Sequence, residues 1–114
     1  MNNDCLFCKI IAGQIPVDKL YEDDDVIAFR DISPQAPVHF LVIPKKHIVG
    51  PAFVEAEDEP LIGKMLRTGA RIAAELGIVN GYRLVFNNGD DGGQTVFHLH
   101  LHILGGRQMH WPPG

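Results

Sequence analysis

Basic residues are in the minority in this chain: ten lysines and arginines stand against fourteen aspartates and glutamates, for a formal net charge of −4 with histidine neutral. A protein that grips a nucleic-acid polymer presents a basic face, so this balance argues against that class while leaving room for a single nucleotide held by local contacts. Long apolar runs are missing as well. None approaches the ~20 residues of a membrane-spanning helix, and Met1-Asn2-Asn3-Asp4 lacks the basic start of a signal peptide. The expectation is a cytoplasmic protein with no membrane partner. Cysteine is scarce, with only Cys5 and Cys8 present, which leaves no disulfide framework. There is no internal repeat and no low-complexity segment. At 114 residues, 46% hydrophobic and 21% charged, the chain suits one core and hence a single domain over 1–114.

Histidine is where the sequence is concentrated. Three of its six histidines fall in His98-Leu99-His100-Leu101-His102-Ile103-Leu104. In an extended strand, side chains alternate between faces, so His98, His100 and His102 share one face and Leu99, Leu101 and Ile103 the other. A helix would scatter them. Imidazole serves both metal binding and phosphate chemistry. The preceding Asn87-Asn88-Gly89-Asp90-Asp91-Gly92-Gly93-Gln94-Thr95 favours phosphate, because a glycine-rich polar loop offers backbone N–H groups and short polar side chains to an anion. Cys5-Leu6-Phe7-Cys8 has a spacing that suits a shared metal, or two small apolar residues on a helix. Zinc needs about four ligands, and the spacing does not say which residues supply the rest.

Along the chain, Asp4 is placed to cap a short helix within 1–15, with Leu6, Phe7, Ile10 and Ile11 as its apolar stripe. Gly13 ends it and Pro16 prevents its resumption. Leu20-Tyr21-Glu22 and Val26-Ile27-Ala28-Phe29-Arg30 flank Asp23-Asp24-Asp25 as a hairpin. Asp31-Ile32-Ser33-Pro34-Gln35-Ala36-Pro37 breaks regular structure, with Asp31 read as a turn residue or an acceptor for ribose hydroxyls. Val38 to Ile43 is a strand stopped by Pro44, in which His39 gains interest if this strand lies beside the triple-histidine strand. Lys45 and Lys46 read as solvated charge. Pro60 opens the one long helix, whose stripe is Leu61, Ile62, Met65, Leu66, Ile72, Ala73 and Leu76, and Gly77 closes it. Gly81 to Phe86 is another strand, and 105–114 an irregular tail whose Trp111 suits an interface. This order describes an α+β domain: a mostly antiparallel sheet with its helices on one side.

The histidine run with Asp91-Gly92-Gly93-Gln94-Thr95-Val96-Phe97 before it resembles the signature of the histidine triad (HIT) superfamily. Asp31-Ile32-Ser33-Pro34-Gln35-Ala36-Pro37, Pro44-Lys45-Lys46-His47 and the ending Gly105-Gly106-Arg107-Gln108-Met109-His110-Trp111-Pro112-Pro113-Gly114 are similar to the histidine triad nucleotide-binding (HINT) branch. The resemblance runs over nearly the whole chain. It implies a HIT-like fold, a five-stranded antiparallel sheet with one long and one short helix, and a homodimer with a continuous ten-stranded sheet. It implies binding of purine nucleotides such as AMP and GMP, and hydrolysis of adenosine 5′-phosphoramidates to AMP and an amine through a nucleotidyl-histidine.

By the same resemblance His100 matches the nucleophile, and His98, His102 and His39 the supporting imidazoles, with His102 as the acid for the leaving amine. Asn87, Gly93, Gln94 and Thr95 match groups around the phosphate, and Asp31 the ribose-binding carboxylate. Phe7, Ile10, Ile15, Phe29 and Ile32 match the slot for the base. Trp111 matches a tail residue near the partner's site. No cofactor is required by this chemistry. The paired cysteines depart from the HINT pattern; HIT proteins that have them bind structural zinc, and the matching ligands are Cys5, Cys8, His47 and His98. Three other readings compete: a nucleotide-binding regulatory module with little turnover, a zinc protein whose three histidines are ligands, and a dinucleoside polyphosphate hydrolase.

Overall fold

The computed structural model describes residues 4–114; the reading of Met1, Asn2 and Asn3 lies outside them. The chain runs α1 (Leu6–Ile11), β1 (Lys19–Glu22), β2 (Val26–Arg30), β3 (Val38–Pro44), two single-turn 3-10 helices (Pro51–Phe53 and Ala56–Asp58), α2 (Glu59–Glu75), β4 (Tyr82–Val85) and β5 (Leu101–Gly105). The five strands form one sheet in the order β1-β2-β3-β5-β4, and every pairing is antiparallel. The expected α+β, HIT-like sheet with one long and one short helix is therefore present.

Burial explains the layering. Strands β2 and β3 are apolar on both faces, with Val26 through Phe29 and His39 through Pro44 all buried. Such strands need cover on both sides. On one face Ala28, Phe40, Val42, Leu99, Leu101 and Ile103 pack with Met65, Ile72 and Ala73 of α2. The helix comes close there, since a Cβ on Gly69 would sit 3.0 Å from Ile103 Cδ1. On the other face Ile27, Phe29, Leu41 and Ile43 pack with Cys5, Phe7, Cys8 and Ile10. The expectation of helices on one side is thus corrected: α1 and α2 sit on opposite faces, because the sheet has no polar side to give to water.

Other local expectations also change. Cys5 rather than Asp4 caps α1, its Sγ accepting from the Cys8 N–H at 3.3 Å. Cys8 takes the inward position, which turns Leu6 outward. Leu66 likewise faces out of α2. Lys45 and Lys46 are not free charges: Lys45 Nζ lies 2.8 Å from Glu22 Oε2, and Lys46 Nζ lies 2.6 Å from the carboxylate of buried Asp58. The ladder of β5 begins at Leu101, opposite Val42, and not at His98. Pro44 has no N–H to continue it, and the Leu99 N–H donates instead to Ile48 O at 2.6 Å. Alternation persists through the change, so the three histidines still share the face opposite Leu99, Leu101 and Ile103. Among the described residues no helix is long and apolar enough to cross a membrane.

Ile103 is fully buried under α2, so Ile103→Ala is expected to cost about 3 kcal/mol in urea unfolding. Val79→Ala, at a residue 75% exposed, should change stability by less than about 0.5 kcal/mol. Equal losses from the two would contradict this placement of the core.

Candidate active site

The ladder between β3 and β5 sets Leu41 opposite His102 and His39 opposite Leu104, which brings the His39 and His102 rings together. The His100 and His102 ring centroids are 4.9 Å apart, and Phe7 meets the His100 ring edge-on at 5.0 Å. His98 and His100 are buried and His102 is half-buried.

Backbone partners, whose hydrogen-bond polarity is fixed, assign the protons. His100 Nδ1 lies 2.7 Å from the His98 carbonyl oxygen, which can only accept. Nδ1 therefore carries the proton and Nε2 holds a free lone pair. Burial pushes the His100 pKa down, opposed by that carbonyl and the Asp31 charge, so the ring is neutral near pH 7.

The same logic applies to His39. The Gln35 N–H donates to His39 Nδ1 at 3.0 Å, so the His39 proton sits on Nε2. That nitrogen lies 2.9 Å from His102 Nδ1 and 3.5 Å from Asp31 Oδ2. His39 therefore donates to His102, whose own proton must be on Nε2. Burial, with His100 and His39 adding to it, lowers the His102 pKa to about 4. Burial also lowers that of His39, against the pull of Asp31. The backbone amide of Gln35 was not legible as a site element, because a main-chain donor has no side-chain signature.

His98 faces a different set of groups. Its ring Nε2 donates to Pro44 O at 2.8 Å, leaving the Nδ1 lone pair directed at His47 Nδ1 (3.0 Å), Cys5 Sγ (3.4 Å) and Cys8 Sγ (3.6 Å). Cys8 Sγ is 3.3 Å from His47 Nδ1. All four donor atoms lie within 4.8 Å of one another. Tetrahedral zinc bonds to sulfur and nitrogen give ligand–ligand edges of about 3.3–3.8 Å, so this cluster fits the ion. The Pro44 carbonyl supplies the outer hydrogen bond usual for a metal-bound imidazole. Burial is the main reason the His98 pKa falls to about 4.

Asp31, His39 and His102 also bring three donor atoms within 4.8 Å. Here the polarity is opposite. A metal on His39 Nε2 would force the ring proton onto Nδ1, where it would confront the Gln35 N–H. This second cluster suits a proton, whereas the first could hold a metal.

The remaining candidates divide. Gln94 is buried, but its amide is committed to the loop: Oε1 accepts from the Gly89 N–H at 2.9 Å, while Nε2 donates to Val49 O at 2.7 Å and Val96 O at 3.1 Å. Gln94 therefore shapes the loop. Asn87 is half-buried, and Gly93 and Thr95 are exposed. Asp31 Oδ1 accepts from the Ser33 N–H at 2.8 Å, which closes the expected turn and leaves Oδ2 toward His39. Phe7, Ile10 and Phe29 form an apolar wall with Ile15 packed against it. Ile32, 96% exposed, stands apart from that wall, and Trp111 is 84% exposed on the tail.

The sequence profile described as HIT domain matches residues 12–109. An uncharacterised HIT-like protein of Synechococcus elongatus is 54% identical over all 114 residues, the full length of both chains. Among solved structures, a HIT family hydrolase from Legionella pneumophila is 53% identical, with a TM-score of 0.95 over 97% of this chain and 100% of that one. A histidine triad nucleotide-binding protein from Candida albicans is 31% identical, with a TM-score of 0.82 over 96% of this chain and 83% of that one.

Burial of neutral imidazoles makes the fold sensitive to acid. His102 and His39 hold protons less readily folded than unfolded, so between pH 6.5 and about 4 the unfolded chain takes up protons that the folded one refuses. Stability is full above pH 6.5 and falls as pH drops through this window. The urea midpoint of metal-free protein should decline accordingly, and His102→Asn should flatten the decline. A midpoint constant from pH 7 to pH 4 would contradict the assignment.

Proposed function

This chain belongs to the HIT domain family, and we propose that it is a purine nucleoside phosphoramidase, hydrolysing adenosine 5′-phosphoramidates to AMP and an amine. The carrying observation is the bond from His100 Nδ1–H to His98 O, which leaves His100 Nε2 unprotonated. A neutral imidazole so held is a nucleophile at neutral pH. Nε2 attacks the α-phosphorus, the P–N bond breaks, and the amine departs with a proton. Water then cleaves the nucleotidyl-histidine to release AMP.

His102 supports both steps. Its Nε2–H is the hydrogen-bond donor left free by the His39 contact; a phosphoryl anion beside it favours the doubly protonated ring, in which the His39 Nε2–H turns from His102 Nδ1 to Asp31 Oδ2. That form gives the proton to the leaving amine. The loop shaped by Gln94 brings the amide of Thr95 and the side chain of Asn87 to the phosphate. Asp31 takes the ribose hydroxyls, and the wall of Phe7, Ile10, Ile15 and Phe29 takes the base.

Cys5, Cys8, His47 and His98 would hold a zinc ion whose part would be structural, steadying the ring of His98, whose carbonyl orients His100. His98 is then a positioning group and not a proton donor. Among the described residues β1 and β4 are the edges of the sheet, and Leu84 exposed on β4 supports homodimerisation through that edge. Trp111, exposed on the tail, is then available to the partner's site.

Hydrolysis of an adenosine 5′-phosphoramidate is expected for the wild type, with His100→Ala reducing kcat about a thousandfold or more. Turnover that survives His100→Ala sinks the mechanism. Tight AMP binding without turnover in the wild type would leave a nucleotide-binding regulatory module. For the metal, elemental analysis is expected to find about one zinc per chain, lost together with several degrees of Tm in Cys8→Ser. Zinc content unchanged by that substitution would remove Cys8 from the ligand set.

A further inference from the structure

Arg107 lies on the irregular tail, outside every role assigned above. Its guanidinium donates twice to one acceptor, the carbonyl oxygen of Gln35, from Nε at 3.3 Å and Nη2 at 3.1 Å, while Nη1 reaches Gln108 O at 3.5 Å. A planar fork on a single carbonyl fixes its direction, which a lone flexible donor does not. Gly106 reinforces the contact. At φ +90° it turns the chain against Pro37, where a Cβ would sit 2.9 Å from the proline Cβ, so the tail presses directly on the 31–37 segment.

That segment has little freedom of its own. Pro34 and Pro37 fix their φ angles, and Ser33 and Ala36, each preceding a proline, are restricted as well. Between Ser33 and Pro37, Gln35 is the residue that no proline restricts. Its carbonyl is held by Arg107, and its N–H is the donor to His39 Nδ1 that places the His39 proton on Nε2, toward His102.

We propose that Arg107 is a positioning residue for the site: by clamping the Gln35 carbonyl it keeps the Gln35 N–H on His39 Nδ1, and so keeps the His39–His102 pair aligned beside His100. The proposal deepens the phosphoramidase reading and rests on it for its kinetic consequence. The tail is tied at a second point, Arg83 Nη2 donating to His110 O at 2.7 Å, and this gives an internal control. That contact involves His110 and not Gln35.

The test uses the full-length protein with ¹⁵N-labelled histidine. In the wild type the His39 Nδ1 resonance should be that of an unprotonated nitrogen accepting a hydrogen bond. Arg107→Ala is expected to move it toward the position of an unbonded imidazole nitrogen. The same variant should lower kcat on an adenosine phosphoramidate about tenfold, with KM within about twofold, as expected for an outer-shell partner. Arg107→Lys, which keeps one charged donor, should recover most of both effects. Arg83→Ala should leave the His39 resonance unmoved. An unmoved His39 resonance in Arg107→Ala overturns the proposal, as does the same resonance shift in Arg83→Ala. A wild type without phosphoramidase turnover would refute the functional reading instead, and the resonance would still decide the role of Arg107.

Discussion

One hydrogen bond governs the chemistry available here: His100 donates Nδ1–H to the carbonyl of His98, two residues back along the same segment. It commits one ring nitrogen and leaves the other free. The contact depends on how the 98–100 segment is held. Leu99 is anchored by its N–H to Ile48 O and by its side chain in the core under α2. The His98 ring is pinned to Pro44 O. Were the regular ladder to begin at His98, these groups would be bound up in sheet pairing. Pro44, which has no N–H to give, ends that pairing at Val42 and Leu101 and leaves the surroundings of His100 to be built from specific contacts.

The sheet divides labour between its faces. One face, with α2, is an ordinary aliphatic core. The other holds α1, the cysteines and the histidines, and there burial acts as chemistry, because desolvation keeps imidazoles neutral that would be partly charged in water. Short helix α1 serves twice. Phe7 packs edge-on against both His98 and His100, while Cys5 and Cys8 supply two of the four donors around His98. His98 thus joins two clusters: its ring nitrogen points into the sulfur-nitrogen group and its backbone oxygen orients His100.

Much of this was legible in the sequence. Period-two alternation put three imidazoles on one face, and the chain order gave the antiparallel α+β sheet. The strand around His39 does lie beside β5, which makes an otherwise ordinary histidine part of the constellation. What escaped has a common cause. The Asp58 carboxylate under Lys46, the Cys5 cap of α1, and the Gln35 amide on His39 are pairings in which one partner is a main-chain group or lies at a distance that no periodicity encodes. The placement of α1 also escaped, because a six-residue stripe shows that a face is apolar without showing which side of the sheet it covers.

The most direct test of the account is to identify the atom that becomes bonded to phosphorus. Protein mixed with an adenosine 5′-phosphoramidate, quenched within a single turnover in alkaline denaturant and mapped by peptide mass, should carry an adenylyl group on His100. An adduct on His98 or His102, or complete turnover with no adduct at any time, would contradict it.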